Sequence, residues 1–503
     1  MNRYKIRFNF FLRDLTASIV VFFVALPFSM GVAVASGVPA IYGILSGVVG
    51  ALIVSPLAGA PLAITGPAAG LIVVVWEIVN HHGIEMLGPV VLVSGLLQII
   101  GGLFLFGKWF KTIIPSITYG LLAGIGVLII ATQSYVIFNI EPKDTGLESL
   151  MGLPELFFKA FTSLSNEQKI SGATGVLAII IMKIWNKIPK LSKVPSSLVS
   201  VIIISAICHY IFPEIKKIEF SLTIFERLEY ISLSKLYYVF SNYSALVDVV
   251  ILTLVASTQG MLTVLALDEL NKKHKSNFDK ELMAQGVGNF VNGVFGFLPV
   301  TAVPVRTVAN FKSGAYSRLS GVMQGFWLII LCLIFPAIIE KIPVTVLAAI
   351  LIYVGFQIVN IQNFKIVLRK GRYSVFIYFA TACGVIFVNI VTGVVIGFIL
   401  AVINLLHQMT NLSVRVIKEA DLKTIHIYLD GSATFMSLPI LTEALDKIKE
   451  DVDLFIHIRD LKFIDQACLD ALAKWEENHL EKGGHLKIKW EELFKKLPST
   501  NKV

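Results

Sequence analysis

Charge is scarce in this chain. Of its 503 residues, 15% are Asp, Glu, Lys or Arg, against about 25% in an ordinary soluble protein. Apolar residues make up 55%, and the mean hydropathy is +0.77. Cysteine is scarce too. Cys208, Cys332, Cys383 and Cys468 are too far apart for a metal-binding spacing or a disulfide framework, and they read as packing residues. No nucleophile with an adjacent base, no phosphate loop and no metal cluster stands out. The sequence therefore supports no enzyme, no cofactor and no metal. Its net charge of +9 reads as basic loops beside a membrane, not as a nucleic-acid surface.

What remains is apolar sequence in long runs. Stretches of about 20 apolar residues, enough to cross a bilayer as helix, recur from residue 15 to about 410. Such continuous runs exclude an outer-membrane barrel. About fourteen spans are expected, near 13–35, 41–56, 66–79, 86–107, 112–138, 171–187 and 195–213, then 244–266, 281–296, 302–312, 317–338, 344–360, 373–389 and 391–411. The basic start, with Arg3, Lys5, Arg7 and Arg13, is superficially like a signal peptide. Its apolar stretch is too long and has no small-residue cleavage site, so it is expected to stay as the first span. With the N-terminus inside, every second loop should be basic, and most comply: Lys108 and Lys111; Lys183, Lys187, Lys190 and Lys193; Lys272, Lys273, Lys275 and Lys280; Lys312 and Arg318; Lys365, Arg369, Lys370 and Arg372. The outer segment 214–243 is a mild exception, with Lys216, Lys217, Arg227 and Lys235 among Glu214, Glu219, Glu226 and Glu229.

Prolines number only 18, which makes their clustering informative. Pro61 and Pro67 interrupt the third span within Ala60–Gly70, and Pro299 and Pro304 interrupt the tenth within Leu298–Thr307. Proline suits the first turn of a helix and spoils an interior, so both stretches read as helices that begin partway through the bilayer. Ile114-Pro115 opens the fifth span and Ile342-Pro343 the twelfth. Both pairs are seven spans apart, an odd offset, which gives an inverted-topology repeat of about 13–213 and 244–411 with a site at the midplane. Two facing helix N-termini make an anion site from unpaired N–H groups and dipoles. Candidate contacts are Thr65, Gly66, Ala68 and Ala69 in the first break, and Thr301 with the amides of Ala302, Val303 and Val305 in the second. Arg306 is the one cation nearby, either an anion attractor or a structural arginine holding carbonyls. Gln259 and Thr263, four apart on one helix face, read as cavity lining. Asp248, and Glu77 with His81 and His82, read as interfacial, and the glycines of 286–296 as close helix packing.

After residue 411 charges become frequent. Strands are expected at 413–417, 424–429, 452–458 and 486–488, and helices at 439–450 and 465–477, giving a small α/β domain over 412–503 on the cytoplasmic face.

These stretches resemble the SulP anion transporters, also called solute carrier family 26. The resemblance runs through Ala25-Leu26-Pro27 with Gly37-Val38-Pro39, Thr65-Gly66-Pro67-Ala68-Ala69-Gly70, Glu281 to Asn289, and Val303 to Asn310 with Ser313-Gly314-Ala315. The tail resembles a STAS domain through Phe463 to Leu472. The resemblance implies core spans one to four and eight to eleven, gate spans five to seven and twelve to fourteen, elevator-type alternating access and a homodimer. It also implies transport of sulfate, bicarbonate, chloride or dicarboxylates, and a multi-pass protein of the cell (inner) membrane with both termini in the cytoplasm. A cytoplasmic protein partner for the tail is a further expectation. The departures are specific. Gln259 stands where many bacterial members carry an acid for cation coupling, and a neutral amide supplies neither charge nor a titratable proton. Phe28 stands where some members carry a glutamine, Val32 where others carry an aromatic and Val305 where serine is frequent, and in the tail Ala467 fills the place of the phosphorylatable serine of related STAS domains in sigma-factor antagonists. A nucleobase permease of the same fold, or a scaffold that has lost transport, are the competing readings.

Overall fold

The structure, a computed structural model, describes residues 2–111, 115–143, 145–188, 194–218, 232–271, 275–359, 361–409, 412–418, 424–448, 453–458, 461–481 and 485–487. The expected roles of Lys190, Lys193, Glu219, Glu226, Arg227, Glu229, Lys272 and Lys273 lie outside the described residues, as do Val452 and Ile488. The chain separates into two compact units, Met1–Gly397 and Phe398–Val503.

Each of the fourteen expected segments carries helix. The first seven are α1 (Asn2–Ala35), α2 (Ala40–Leu57), α3 (Ile72–His82), α4 (Leu87–Leu103), α5 (Pro115–Ile137), α6 (Asn166–Trp185) and α7 (Ser196–Tyr210). The second seven are α8 (Tyr243–Leu270), α9 (Phe278–Val294), α10 (Pro304–Lys312), α11 (Leu319–Ile334), α12 (Val344–Ile358), α13 (Arg372–Phe387) and α14 (Ile390–Met409). Among the described residues, five stretches are long and apolar enough to cross a membrane by length and composition: Phe10–Ala35, Ala40–Leu57, Ile84–Leu103, Pro115–Ile137 and Tyr243–Asp268. Short helices that the apolar pattern did not single out lie at Gly146–Met151, Leu153–Thr162, Leu233–Ser241 and Ile361–Arg369. The outer surface keeps large apolar side chains exposed, Phe326, Leu333, Phe376 and Phe398 among them. That is unfavourable against water and neutral against lipid tails.

Two packing sets emerge. In one, α4 lies against α9 and α8, while α1, α2 and α11 pack together. The α4–α9 contact is backbone-close because a β-carbon on Gly95 or Gly286 would overlap the facing main chain, as the glycine pattern predicts. In the other, α5 packs on α12 and α13, and α6 on α7 and α12. For these helices the contacts follow the core and gate groupings that the family resemblance implies, with α1 also packing on α12 and α7. Two short strands sit between the helix pieces of the core set. β1 (Thr65–Gly66) and β2 (Thr301–Ala302) pair antiparallel, Thr65 opposite Ala302 and Gly66 opposite Thr301. Equivalent segments of two copies meeting head to tail is the local signature of an inverted repeat.

The second unit contains a five-stranded sheet. β3 (Leu412–Lys418) is antiparallel to β4 (Thr424–Ala433), while β5 (Asp453–His457), β6 (Leu461–Ile464) and β7 (His485–Lys487) join in parallel. Alternate residues Ile425, Ile427 and Leu429 point into a core closed by Leu441 and Leu445 of α15 (Leu438–Asp446) and Leu469 and Leu472 of α16 (Gln466–Glu481). β6 was not expected. It is four residues long, carries Lys462, and is specified by pairing with the far end of β4 rather than by its own pattern.

Candidate functional site

A chain broken at lipid depth leaves N–H and C=O groups that no water can satisfy, so they must find partners inside the protein. The first break finds them in the second repeat. Ala60 N–H donates to Glu281 Oε2 (2.9 Å), and Ile64 N–H to Thr307 Oγ1 (3.0 Å). Asn310 Nδ2 donates to the Leu62 carbonyl (3.0 Å), and Arg318 Nη2 to that of Ala58 (2.8 Å). The second break is held by its neighbours. Asn289 clamps Val300 from both sides, accepting its N–H (2.6 Å) and donating to its carbonyl (3.0 Å). Each brace contributes about 1 kcal/mol, and more where a charge takes part.

This bracing commits three of the expected site groups to the broken backbone itself. The Thr301 hydroxyl donates to the Ala256 carbonyl (2.7 Å), and the Thr263 hydroxyl lies 3.0 Å from the Ala302 carbonyl and 2.9 Å from that of Gln259. The Val303 N–H donates to the Ile64 carbonyl (2.9 Å). All three groups were available as residue types, but the broken backbone needs them more than a ligand does. Ala302 stands in the paired register opposite the buried Thr65. Val32 is buried in the apolar core and does not line the cavity described below.

Other donors are left over. A single 3-10 turn, Ala69–Leu71, with Ala68 as its extended N-cap, leads into α3. α10 begins at Pro304 with Val303 as its extended N-cap. The amides of Ala69 and Gly70, and of Val305 and Arg306, belong to first turns and have no acceptor within their own helix. Because β1 and β2 are antiparallel, the two helices leave the crossing in opposite directions, and both positive ends lie at it.

Arg306 sits at this crossing, fully buried. Its Nη2 donates to Ser29 Oγ (2.8 Å) and the Ala25 carbonyl (3.3 Å). Its Nε and Nη1 have no partner among the described residues. No carboxylate faces it among the described ion pairs. The guanidinium lies 5.1 Å from the Phe28 ring centre, within cation–π range. Nη1 presses on the α-carbon of Gly66, where a methyl group would overlap it. Gln259 approaches the same stretch from α8: a methyl on Gly70 would overlap its Oε1, which is buried and without a partner. Gly66 and Gly70 are thus small because side chains, not backbone turns, require the room. One nitrogen is thus structural, and two have no partner among the described residues.

A cavity of about 780 Å³ lies beside this point, lined by Phe28 and Val305 together with Asn186, Tyr353 and Lys312; Arg306 itself does not line it. The expectation of interfacial solvation is corrected for Asp248 and His82 but not for His81, which is exposed. Asp248 is 7% exposed, and its Oδ2 lies 3.1 Å from His82 Nε2, linking α3 to α8. Among the described residues no three His, Cys, Asp or Glu side chains form a metal cluster. Ser29 and the Asn289 clamp were missed as site residues. The signal was present, a serine in an apolar span and an asparagine among packing glycines, but small polar residues in spans are also common helix glue.

A buried cation beside two helix N-termini is an arrangement that favours an anion. The family model of the sulfate permease family matches residues 11–381. The chain belongs to the sulfate permease family. It is a multi-pass membrane transporter and not an enzyme. It is 28% identical over 409 residues to the "Putative sulfate transporter YvdB" of Bacillus subtilis (strain 168), covering 80% of this chain and 74% of that protein. It is 26% identical over 436 residues to "Bicarbonate transporter BicA" of Picosynechococcus sp., covering 83% and 74%. Among solved structures, the transmembrane domain of a cyanobacterial bicarbonate transporter BicA superposes with a TM-score of 0.65 at 24% identity, over 77% of this chain and 97% of that one. The murine solute carrier 26 family member A9 anion transporter, in its inward-facing state, superposes at 0.77 with 13% identity, over 94% and 84%. Both likenesses show the shared fold.

Proposed function

We propose that this member of the sulfate permease family is a secondary transporter of small inorganic anions, with bicarbonate, sulfate or chloride as cargo. The observation that carries the reading is Arg306. It is a fully buried guanidinium with two nitrogens unpartnered among the described residues, set between two helix N-termini and against Phe28, which lines a cavity of about 780 Å³. A buried cation without a fixed counter-charge is costly, and an anion binding there removes that cost. The anion takes Arg306 Nε and Nη1, the amides of Ala69 and Val305, and the amide of Gln259, whose Oε1 and Nε2 can exchange places by rotation. Phe28, Val305, Gly66 and Ala68 shape the space. Thr65, Ala302, Val303, Thr263 and Thr301 hold the walls.

The cavity is lined by Lys312 and Asn186, beside Lys183 and Lys187, on the side that loop charge assigns to the cytoplasm. The conformation is therefore inward-facing, with both termini in the cytoplasm of a cell that carries the protein in its inner membrane. Transport proceeds by the core set moving as an elevator against the gate set within a homodimer. Gln259 carries no charge, so neither sodium nor a proton at this position drives the cycle, and anion exchange or uniport follows. The C-terminal α/β unit is a STAS-like domain that offers a cytoplasmic protein a docking surface. Radiolabelled-anion competition in proteoliposomes, with and without sodium and pH gradients, tests this. Saturable anion flux independent of sodium supports the reading. Absence of flux for every anion tried, or saturable uracil uptake in its place, overturns it.

A further inference from the structure

We propose a second site, distant from Arg306, that holds the headgroup of an anionic phospholipid. It lies where α4 ends and α9 begins, and it rests only on the chain being a membrane protein. None of its residues lines the cavity beside Arg306.

A cavity of about 530 Å³ opens here, lined by Lys108, Lys275 and Lys280, with Leu103, Leu105 and Asp279. Asp279 is the one acid among the lining residues, and Asp268, just outside them, accepts from the N–H and hydroxyl of Ser276. Asp279 is buried and already engaged: its Oδ1 accepts the Lys108 N–H (3.2 Å), and its Oδ2 pairs with Lys108 Nζ (3.5 Å). Lys275 and Lys280 are exposed and have no carboxylate partner among the described residues. Two uncompensated positive charges therefore border a recess wide enough for a phosphate group.

The edge of the recess says which phosphate. Leu103, Phe104, Leu105 and Phe106 are each more than half exposed, an apolar run of four directly beside the lysines. A soluble protein would bury such a run, and a soluble phosphate has no use for it. The backbone is bent to present it. Leu105 has φ 61°, in the left-handed region that a leucine seldom adopts, and its N–H donates to the Gly102 carbonyl (3.2 Å). Positive charge flush with an apolar edge matches a lipid whose headgroup is anionic and whose acyl chains continue alongside.

The test uses the purified full-length chain in detergent. Retention of phosphatidylglycerol is measured by native mass spectrometry against phosphatidylcholine, with inorganic phosphate as competitor. Wild type is expected to retain phosphatidylglycerol preferentially. Each of Lys275→Ala and Lys280→Ala is expected to weaken that preference about fivefold, and the pair about thirtyfold. Lys275→Arg with Lys280→Arg should keep it, and Lys183→Ala with Lys187→Ala, an equal charge loss elsewhere, should leave it unchanged. Equal retention of the two lipids, an unaffected double alanine variant, or displacement by inorganic phosphate at concentrations comparable to the lipid overturns the proposal. Anion flux plays no part in these readouts, so failure here leaves the Arg306 reading intact, and the reverse.

Discussion

Replacing Arg306 by alanine separates the two roles that a buried arginine can have. The guanidinium carries five N–H donors. The two on Nη2 serve Ser29 and the Ala25 carbonyl, which leaves the three on Nε and Nη1 for a ligand. Removing the charged, hydrogen-bonded partner of a desolvated anion costs about 2–5 kcal/mol, or about 30- to 4000-fold in Kd. Arg306→Lys keeps the charge but has no planar fork, and it should fall about tenfold below wild type. Stability should move differently. Without anion, Arg306 is a buried cation with no counter-charge, so its removal relieves desolvation and offsets the lost contacts to Ser29 and Ala25. The anion-free melting temperature of the alanine variant should thus stay near that of wild type. Anion at about a hundred times the wild-type Kd should stabilise wild type by about 2.7 kcal/mol, and this gain should fall below about 1 kcal/mol in the variant. Equilibrium binding of radiolabelled anion, with melting curves at matched anion concentrations, measures both. Affinity within about threefold of wild type, with the anion-dependent stabilisation intact, would refute the assignment.

Gly66→Ala places a methyl group on Arg306 Nη1 and should push the guanidinium aside, cutting anion affinity about tenfold or more while the fold survives, as read by binding alongside melting curves. Gln259→Glu puts a carboxylate beside the helix ends. As pH rises that group ionises and repels the cargo, so anion affinity should fall with pH between about 5 and 8, a dependence the neutral wild-type side chain lacks. Asn289→Ala orphans both polar groups of Val300 and should lower stability by about 2–4 kcal/mol, read as an earlier melt with anion affinity per folded protein largely kept. In the C-terminal unit, burial, with Asp465 adding to it, pushes the Cys468 thiol up to about 12. Its thiolate therefore appears only as pH approaches that value. Maleimide at about pH 8 should spare Cys468 in the native protein and label it once the C-terminal unit is unfolded, and prompt labelling of the native thiol would contradict this.

How much of this was legible before the structure differs by feature. The helices followed from apolar run length, because lipid imposes both their length and their hydrogen bonding. The mirror relation of the two breaks followed from proline position and an odd span offset, and the antiparallel pairing of Thr65–Gly66 with Thr301–Ala302 is its physical form. Arg306 was legible because an arginine in an apolar span is rare enough to notice. The roles of Thr263, Thr301 and Val303 were not. Their donors were visible, but their acceptors, the carbonyls of Ala302, Ala256 and Ile64, are set by tertiary crossing and lie up to 239 residues away in the chain, from Val303 to Ile64. Asp248 and His82 were misjudged for the same reason: helix ends look solvated in sequence, and only packing shows that one side chain from α8 and one from α3 pair with each other. β6 was invisible because a four-residue strand has no periodicity to read.

The most direct test is to locate the cargo. In a structure of the full chain grown with selenate or bromide, anomalous scattering marks the bound anion. A peak within hydrogen-bond reach of Arg306 Nε or Nη1, between the starts of α3 and α10 and beside Gln259, is the predicted result. An ordered anion elsewhere in the membrane unit, with nothing at Arg306 at saturating concentration, would contradict it.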